Sequence, residues 1–169
     1  MAKIIRPGEK ILVGCGRPGY FADQARADGF VYELKRHGFM EDQWTIYHTG
    51  RAYEEAYRQL EEIFSYESDY KGLYVSIEPN SAAGQFLADN HLQDSVKVIC
   101  HDLSPSTKIY LEKGVFDFVI GQDIYNQGYK ALLTLCDMVR FGKKDMPEYR
   151  NDLIIYDSTI LETLSAEES

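Results

Sequence analysis

The sequence has few cysteines, no long apolar run and no excess of basic residues. Its 169 residues include only three cysteines, Cys15, Cys100 and Cys136, and no CxxC spacing, so neither a disulfide framework nor a zinc site is indicated. No apolar run approaches the roughly 18 residues that a membrane-spanning helix needs. Acidic residues outnumber basic ones by 27 to 18, and the net charge of −9 argues against a nucleic-acid-binding surface.

These absences leave an ordinary globular chain. The first ten residues, MAKIIRPGEK, lack the apolar core and the cleavage site of a signal peptide. Unpatterned cysteines in such a chain are expected to be buried and reduced. We therefore expect one domain over residues 1–169, in the cytoplasm, with no contact to a membrane.

Short apolar runs alternate with longer amphipathic stretches along the chain. Apolar residues make up 44% of the sequence. Six runs have the length of strands and are continuously apolar, which is typical of parallel strands covered on both faces. They are Ile11–Cys15, Trp44–His48, Leu73–Ile77, Val96–Cys100, Phe118–Ile120 and Leu153–Tyr156. Their order predicts an α/β domain with a doubly wound parallel sheet.

Helical periodicity fills the intervals between these runs. Apolar residues recur on one helix face in two stretches, Ala52, Ala56, Leu60, Ile63 and Phe64, and then Ala131, Leu132, Leu135, Met138 and Val139. Gly38 and Gly142 are predicted to end helices, and Ser81 and Ser104 to begin them.

Polar residues and glycines gather directly after the strands. The segments are GCGRPG, TG, EPNS, HDLS and GQD, following the first five runs in turn. In doubly wound folds, ligands bind beyond the carboxyl ends of the strands. We therefore expect one edge of the sheet to carry the function.

The first of these segments spells a dinucleotide-binding loop, Gly14-x-Gly16-x-x-Gly19. Such a loop also needs an acidic residue at the end of the second strand, to hold the ribose hydroxyls. That strand ends in IYHT, without an acid, and Pro18 stiffens the loop itself. We interpret the glycines as a turn between strand and helix, and keep a nucleotide- or NAD-binding enzyme as an alternative.

Arg26 lies about two turns into the next helix, between two alanines. These small neighbours, with Gly29 on the same face, indicate close packing where an ordinary surface arginine is not expected. Its guanidinium could reach the strand ends as a planar fork of donors. A surface ion pair with Asp23 or Asp28 is the alternative.

Two strand ends offer further polar side chains. The carboxylate of Asp102 can accept two hydroxyl hydrogens of a polyol, or serve as a base or a metal ligand. Its neighbour His101 points to the other face of the strand, which favours a structural residue or a pocket wall. Gln122 offers both a donor and an acceptor, which suits a neutral hydroxyl-rich ligand or loose backbone groups.

No motif supplies chemistry. The sequence contains neither G-x-S-x-G nor HExxH, and His37, His48 and His91 are scattered without the spacing of metal ligands. We therefore expect a protein that is not an enzyme, with no catalytic residue, metal or cofactor.

Four segments, taken together, carry a family resemblance. They are ILVGCGRPGYFADQARADGFVYELKRHG, YKGLYVSIEPNSAAGQFLADN, VKVICHDLSPSTKIYLEKGVFDFVIGQDIYNQGYKALLTL and DLIIYDSTILE. In this order they resemble the type I periplasmic sugar-binding proteins and the effector-binding domain of LacI-family transcriptional regulators. Proteins of that family close two similar α/β lobes on a small molecule, commonly a sugar.

The resemblance implies a ligand-binding site. Arg26 matches the family's helix arginine that hydrogen-bonds the sugar, Asp102 its strand-end aspartate, and Gln122 its hinge-region glutamine. The aromatic face of Tyr20 or Phe21 is expected to pack on the sugar ring.

One departure concerns the segment after the third strand. The family usually has Asn-Asp there, whereas this chain has Glu78-Pro79-Asn80. Glu78 or a shifted Asn80 is expected to substitute, which leaves the sugar open and admits an amine-bearing ligand. Pro79 cannot donate a backbone N–H.

A second departure is the length. Only AKII remains of what resembles the first helix of the second lobe, so a C-terminal lobe without its first lobe or DNA-binding domain is expected. The stretch from about 123 to 150 would pack on the missing lobe in a longer parent. Here it is expected to repack or to form a homodimer.

The resemblance therefore implies the ligand-sensing domain of a LacI-type regulator. Its effector is expected to be a sugar or small polyol, and lobe closure would pass occupancy allosterically to DNA through a domain absent from this chain. A solute-binding protein of a sugar transporter is the near alternative.

Overall fold

A computed structural model describes residues 1–50, 52–144 and 152–167. The strands are β1 (Lys10–Cys15), β2 (Trp44–His48), β3 (Tyr70–Val75), β4 (Lys97–His101), β5 (Phe118–Gln122) and β6 (Leu153–Tyr156). The helices are α1 (Phe21–Arg36), α2 (Tyr53–Tyr66), α3 (Asn80–Asp89), α4 (Pro105–Glu112), α5 (Ile124–Phe141) and α6 (Ser158–Glu167), with a short 3₁₀ helix over Glu41–Gln43. All six predicted strands are present, although β3 begins and ends earlier than the apolar run indicated.

The strands form one sheet in the order β2-β1-β3-β4-β5-β6. β1 to β5 are parallel, as predicted, and the strand order reverses between β1 and β3. β6 departs from the expectation because it pairs antiparallel with β5, Leu153 lying opposite Gln122. The connection from β5 to β6 therefore leaves and returns at the same edge of the sheet, whereas a parallel β6 would require a crossover to the other edge.

Helices cover the two faces of the sheet unequally. One face packs on α2, α3, α4 and α6, with a core that includes Leu73, Leu87 and Val98. The other face packs on α1 and the N-terminal turn, around Ile11 and Val13. The predicted burial on both faces holds for the central strands, while β2 and β6 at the two edges of the sheet are largely exposed.

The helix ends agree largely with the sequence signals. Gly142 adopts a left-handed conformation (φ 64°) and caps α5, and Ser104 caps α4 by accepting a backbone N–H. Gly38 also has a positive φ just beyond the end of α1. Ser81 is wrong as a helix start, because α3 already begins at Asn80.

Helix α5 carries the predicted apolar face, but that face is exposed. Leu132, Leu135 and Val139 are 60%, 56% and 76% exposed, and none of the residues of α5 is buried. The end of the predicted packing stretch, residues 145–150, lies outside the described residues. Within the described ranges, no helix combines the length and the apolar character that crossing a membrane requires.

Candidate ligand-binding site

Arg26 lies where the strand order reverses. Helix α1 carries it from the carboxyl end of β1, and its Nη1 donates to the carbonyl oxygen of Ser76, after β3, over 2.7 Å. The same Nη1 lies 3.6 Å from Oδ2 of Asp102. Among the described residues this is the ion pair that Arg26 makes, in place of the alternative pair with Asp23 or Asp28. The guanidinium therefore bridges the loops after β3 and β4, in the crevice where doubly wound folds bind ligands.

The expected close packing around Arg26 was wrong. Gly29 is exposed, and a Cβ added there would meet no atom within 4 Å. Ala25 is also exposed, and only Ala27 is buried against the sheet. Of these small neighbours, only Ala27 therefore has a packing reason for its size, and polar partners hold the side chain of Arg26.

Asp102 and Gln122 meet at the ends of two adjacent strands. Nε2 of Gln122 donates to Oδ1 of Asp102 over 2.6 Å. Asp102 adopts a positive φ of 68°, and its backbone N–H donates to the carbonyl oxygen of Ile120. A left-handed aspartate is uncommon outside constrained loops. The tertiary structure thus joins Gln122, Asp102 and Arg26 into one polar chain at the edge where all three were predicted.

The side chains of this polar chain remain accessible. The side chains of Arg26 and Asp102 are 24% and 29% exposed. Each side chain can therefore hydrogen-bond a ligand at the sheet edge from its present position.

Glu78 and Asn80 lie beside the polar chain of Gln122, Asp102 and Arg26. Both side chains already form hydrogen bonds within the protein. Oε2 of Glu78 accepts the backbone N–H of Asn80 over 2.8 Å, and Oε1 accepts the hydroxyl of Ser104 over 3.2 Å. Asn80 is 0% exposed and donates through Nδ2 to the carbonyl oxygen of His101 over 2.6 Å. Glu78 is thus exposed at the edge, whereas Asn80 lies beneath it and braces β4.

Tyr20 stands at the start of α1, which faces the carboxyl edge. It is exposed, and the next residue, Phe21, is 86% exposed. Aromatic rings with open faces at such an edge can stack on an apolar face of a ligand.

A buried histidine lies under the polar chain. Nε2 of His101 lies 2.7 Å from the hydroxyl of Tyr74, whose ring stacks on Phe30. Burial, followed by the positive charge of Arg26, lowers the pKa of His101 from its ordinary value of 6.5 to about 4. His101 is therefore a neutral structural support at pH 7, in agreement with the interpretation from the strand alternation.

The glycine loop has structural reasons for each of its glycines. A Cβ at Gly14 would lie 2.9 Å from the hydroxyl of Tyr47, and one at Gly16 would lie 2.2 Å from Oδ2 of Asp23. Gly19 has a φ of 99°, which side chains rarely adopt. The buried carboxylate of Asp23 therefore fills the space beside Gly16.

Metal coordination finds no support in the described part of the chain, which contains no group of three His, Cys, Asp or Glu side chains placed to hold an ion. The groups at the edge are a guanidinium, a carboxylate and an amide, each of which can hydrogen-bond a ligand.

The sequence of the chain matches a known family over most of its length. Residues 1–144 match the model of the periplasmic binding protein domain. The chain belongs to this family.

Solved structures similar to this periplasmic binding protein domain come from several bacteria. A carbohydrate transporter solute-binding protein of Agrobacterium radiobacter, in complex with D-arabinose, is 20% identical, with a TM-score of 0.81 over 95% of this chain and 54% of that one. A solute-binding protein of Agrobacterium vitis with bound D-fucose is 18% identical, with a TM-score of 0.83 over 98% and 56%. A protein assigned as a LacI transcriptional regulator of Bacteroides fragilis is 19% identical, with a TM-score of 0.76 over 92% and 55%.

These similarities establish the fold of the domain. The chain spans about half the length of each of these three structures. No curated protein sequence matches it.

Two partners in the site had no signal in the sequence. The carbonyl oxygen of Ser76 accepts from Arg26, but a backbone acceptor cannot be recognised from residue types. Tyr74 lies 27 positions from His101, and only the register of β3 against β4 brings the two together.

Proposed function

We propose that this periplasmic binding protein domain forms one wall of a site that binds a sugar, or a similar polyhydroxylated molecule, without changing it chemically. The observation that carries the proposal is the polar chain from Gln122 through Asp102 to Arg26 at the carboxyl edge of the sheet. Its three members come from three separate stretches of sequence and converge at the crevice that doubly wound folds use for ligands.

Each of the three side chains in the polar chain can form further hydrogen bonds with hydroxyl groups of a ligand. The Asp102 carboxylate can accept more hydrogen bonds than the one from Gln122. Gln122 keeps its amide oxygen and a second N–H, and Arg26 keeps donors beyond the one directed at Ser76. Forks of this kind fit pairs of neighbouring hydroxyls, which each donate and accept.

An apolar surface at the same edge suits the other side of a sugar. Tyr20 and Phe21 are exposed at the start of α1. A pyranose or furanose presents C–H groups on one face, and aromatic rings pack against them. We propose that these two rings contribute affinity, and that Glu78 contributes selectivity through its exposed carboxylate.

Similar proteins support the ligand class. The D-arabinose and D-fucose complexes described above concern proteins of the same fold, and a third, from Agrobacterium vitis, binds alpha-D-tagatopyranose. Their ligands differ, so the support extends to sugars as a class and leaves the individual sugar open.

Two biological roles are compatible with this recognition. The solute-binding proteins of transporters among the similar structures favour a role in sugar uptake. The Bacteroides fragilis protein favours the sensing domain of a LacI-type regulator, with DNA contacted through another domain and the protein in the cytoplasm. We propose both roles, and the support for a role in uptake is at least as strong as the support for a role in regulation.

Calorimetry with D-arabinose, D-fucose, D-tagatose and D-ribose tests the sugar proposal. We expect at least one of them to bind, and Arg26→Ala, Asp102→Ala and Gln122→Ala each to weaken binding by about tenfold or more, which corresponds to about 1.4 kcal/mol. Asp42→Ala is the matched control because Asp42 is an exposed carboxylate at the amino edge of the sheet, just before β2. Unchanged affinity in all three site variants would refute the site.

A thermal-shift screen tests the alternative of a nucleotide- or NAD-binding enzyme. We expect NAD, NADP and ATP to leave the melting temperature unchanged, because Asp23 fills the space beside Gly16. Stabilisation by a dinucleotide and by none of the sugars would reverse the proposal.

A further inference from the structure

Two carboxylates lie where the loops after β3 and β4 meet. Glu78 follows β3 and Asp102 follows β4. Nη1 of Arg26 donates to the carbonyl oxygen of Ser76 and lies 3.6 Å from Asp102, so it holds the two loops together. The hydroxyl of Ser104, two residues after Asp102, donates to Oε1 of Glu78 over 3.2 Å. Glu78 and Asp102 therefore belong to the same part of the candidate site.

The buried thiol of Cys100 lies near both carboxylates. Burial is the main cause that raises the pKa of Cys100, and the negative charges of Glu78 and Asp102 raise it further. The interaction between charges weakens with distance, so both carboxylates lie close to the end of β4.

The two carboxylates differ in what balances their charge. Asp102 has the guanidinium of Arg26 beside Oδ2. Glu78 accepts the backbone N–H of Asn80 over 2.8 Å and the hydroxyl of Ser104, and both donors are neutral. Across residues 1–50, 52–144 and 152–167, Glu78 forms no ion pair. This part of the site therefore holds one cation against two anions.

Other basic groups at the carboxyl edge have partners of their own. Arg17, in the loop after β1, lies 3.6 Å from Glu55, and Lys108, in α4, lies 3.9 Å from Glu112. His101 is neutral at pH 7, because burial, followed by the charge of Arg26, lowers its pKa to about 4. None of Arg17, Lys108 and His101 therefore balances Glu78.

We propose that the ligand of this domain is an amino sugar, whose ammonium group binds Glu78 while its hydroxyls bind Asp102, Gln122 and Arg26. The inference rests on the proposed sugar site and narrows its ligand to a cationic sugar. A ligand that covers Glu78 removes water from the carboxylate, which costs free energy unless a positive charge replaces that water. A neutral sugar supplies only hydroxyl dipoles, whereas an ammonium supplies the charge together with three donors.

Arg26 decides which of the two carboxylates takes the ammonium. Its guanidinium already balances Asp102 and repels a second cation placed there. Each oxygen of Glu78 accepts one hydrogen bond from the protein and can accept another from a ligand. These two bonds also orient the Glu78 carboxylate before a ligand arrives, which lowers the entropy cost of binding. The amine is therefore expected at Glu78 and a pair of neighbouring hydroxyls at Asp102.

Calorimetry with matched sugars tests the proposal. The probes are D-glucose with its 2-amino, 3-amino and 6-amino deoxy forms, and D-galactose with D-galactosamine, so that each amine differs from its parent by one ammonium in place of one hydroxyl. We expect at least one amine to bind about tenfold or more tightly than its parent sugar. This ratio should fall between about 0.01 M and about 1 M salt, because ions screen the attraction.

Three variants locate the preference for the amine. Glu78→Gln keeps an acceptor for the N–H of Asn80 but removes the charge, so the ratio of the two affinities should fall to near one. Asp102→Asn should weaken the amine and its parent sugar alike and preserve the ratio, because Arg26 already balances Asp102. Asp42→Asn, which removes an exposed charge at the amino edge, controls for net charge and should preserve both affinities.

The outcomes separate this proposal from the proposed function. Neutral sugars that bind as tightly as their amines would overturn the amino sugar and leave the sugar site standing. A preference that survives Glu78→Gln, or that Asp102→Asn removes instead, would overturn the assignment of the amine to Glu78. Absence of binding by every sugar, charged or neutral and including those proposed above, would refute the proposed function itself.

Discussion

Gln122 and Asp102 are joined by a hydrogen bond of 2.6 Å between Nε2 and Oδ1, which ties the ends of β4 and β5 together at the candidate site. Asp102 has its other carboxylate oxygen 3.6 Å from the guanidinium of Arg26. The carboxylate is thus held from two sides, by a neutral amide donor on one oxygen and by a cation near the other. Any ligand at this edge meets an Asp102 whose position is already fixed.

Gln122→Glu is expected to destabilise the domain at neutral pH. The change replaces a donor by a second carboxylate beside Asp102, and like charges at such a distance repel. Because the site is partly exposed, we expect a loss of about 1 kcal/mol in the free energy of unfolding at pH 7.5. Protonation of one carboxyl at lower pH should recover part of it, measured by urea unfolding at pH 7.5 and 5. Gln122→Met, which removes the donor without adding charge, is the control, and equal losses at both pH values in the two variants would contradict the repulsion.

Gly16→Ala and Gly29→Ala are expected to shift stability in opposite directions. A Cβ at Gly16 would lie 2.2 Å from Oδ2 of the buried Asp23, so we expect a loss of about 1–3 kcal/mol. A Cβ at Gly29 meets nothing within 4 Å on the exposed side of α1, so alanine there should stabilise by up to about 1 kcal/mol. Urea unfolding measures both effects. Combining Gly16→Ala with Asp23→Ala should restore part of the loss, and no recovery would show that the clash lies elsewhere.

His101 is expected to make stability depend on pH. Its pKa in the folded domain is about 4, below its ordinary 6.5, so the unfolded chain binds the proton more readily. The folded state therefore loses stability as pH falls from about 6.5 to 4, by up to about 3 kcal/mol in all. Comparison of His101→Gln with the parent by urea unfolding across this window isolates the effect from that of the carboxylates. The variant should show the shallower dependence, and parallel curves would rule out His101 as its source.

Asn80→Ala is expected to act on stability. Asn80 is fully buried and its Nδ2 donates to the carbonyl oxygen of His101, so its loss should cost about 1–3 kcal/mol in the free energy of unfolding. The exposed Glu78 provides the comparison, since Glu78→Gln should change stability little and act on ligand selectivity. A stable Asn80→Ala domain with altered sugar affinity would return Asn80 to the ligand site.

Individual residues show how much of the candidate site could be predicted from the sequence. Arg26, Asp102 and Gln122 could be placed together in advance because the carboxyl ends of parallel strands share one edge. Asn80 was expected in the same site, and its full burial below the exposed Glu78 depends on contacts that residue types do not reveal. The pair of Gly16 and Asp23 gave no signal, because it depends on how α1 leans on the loop.

By itself, the sequence determined the strands, the parallel sheet and the edge that carries polar groups. Continuous apolar runs of strand length favour a parallel sheet that is covered on both faces, and few arrangements achieve this. Only the tertiary structure decided the antiparallel direction of β6 and the exposed side of α5. Periodicity shows that a face is apolar, but what covers that face depends on contacts between elements far apart in the chain.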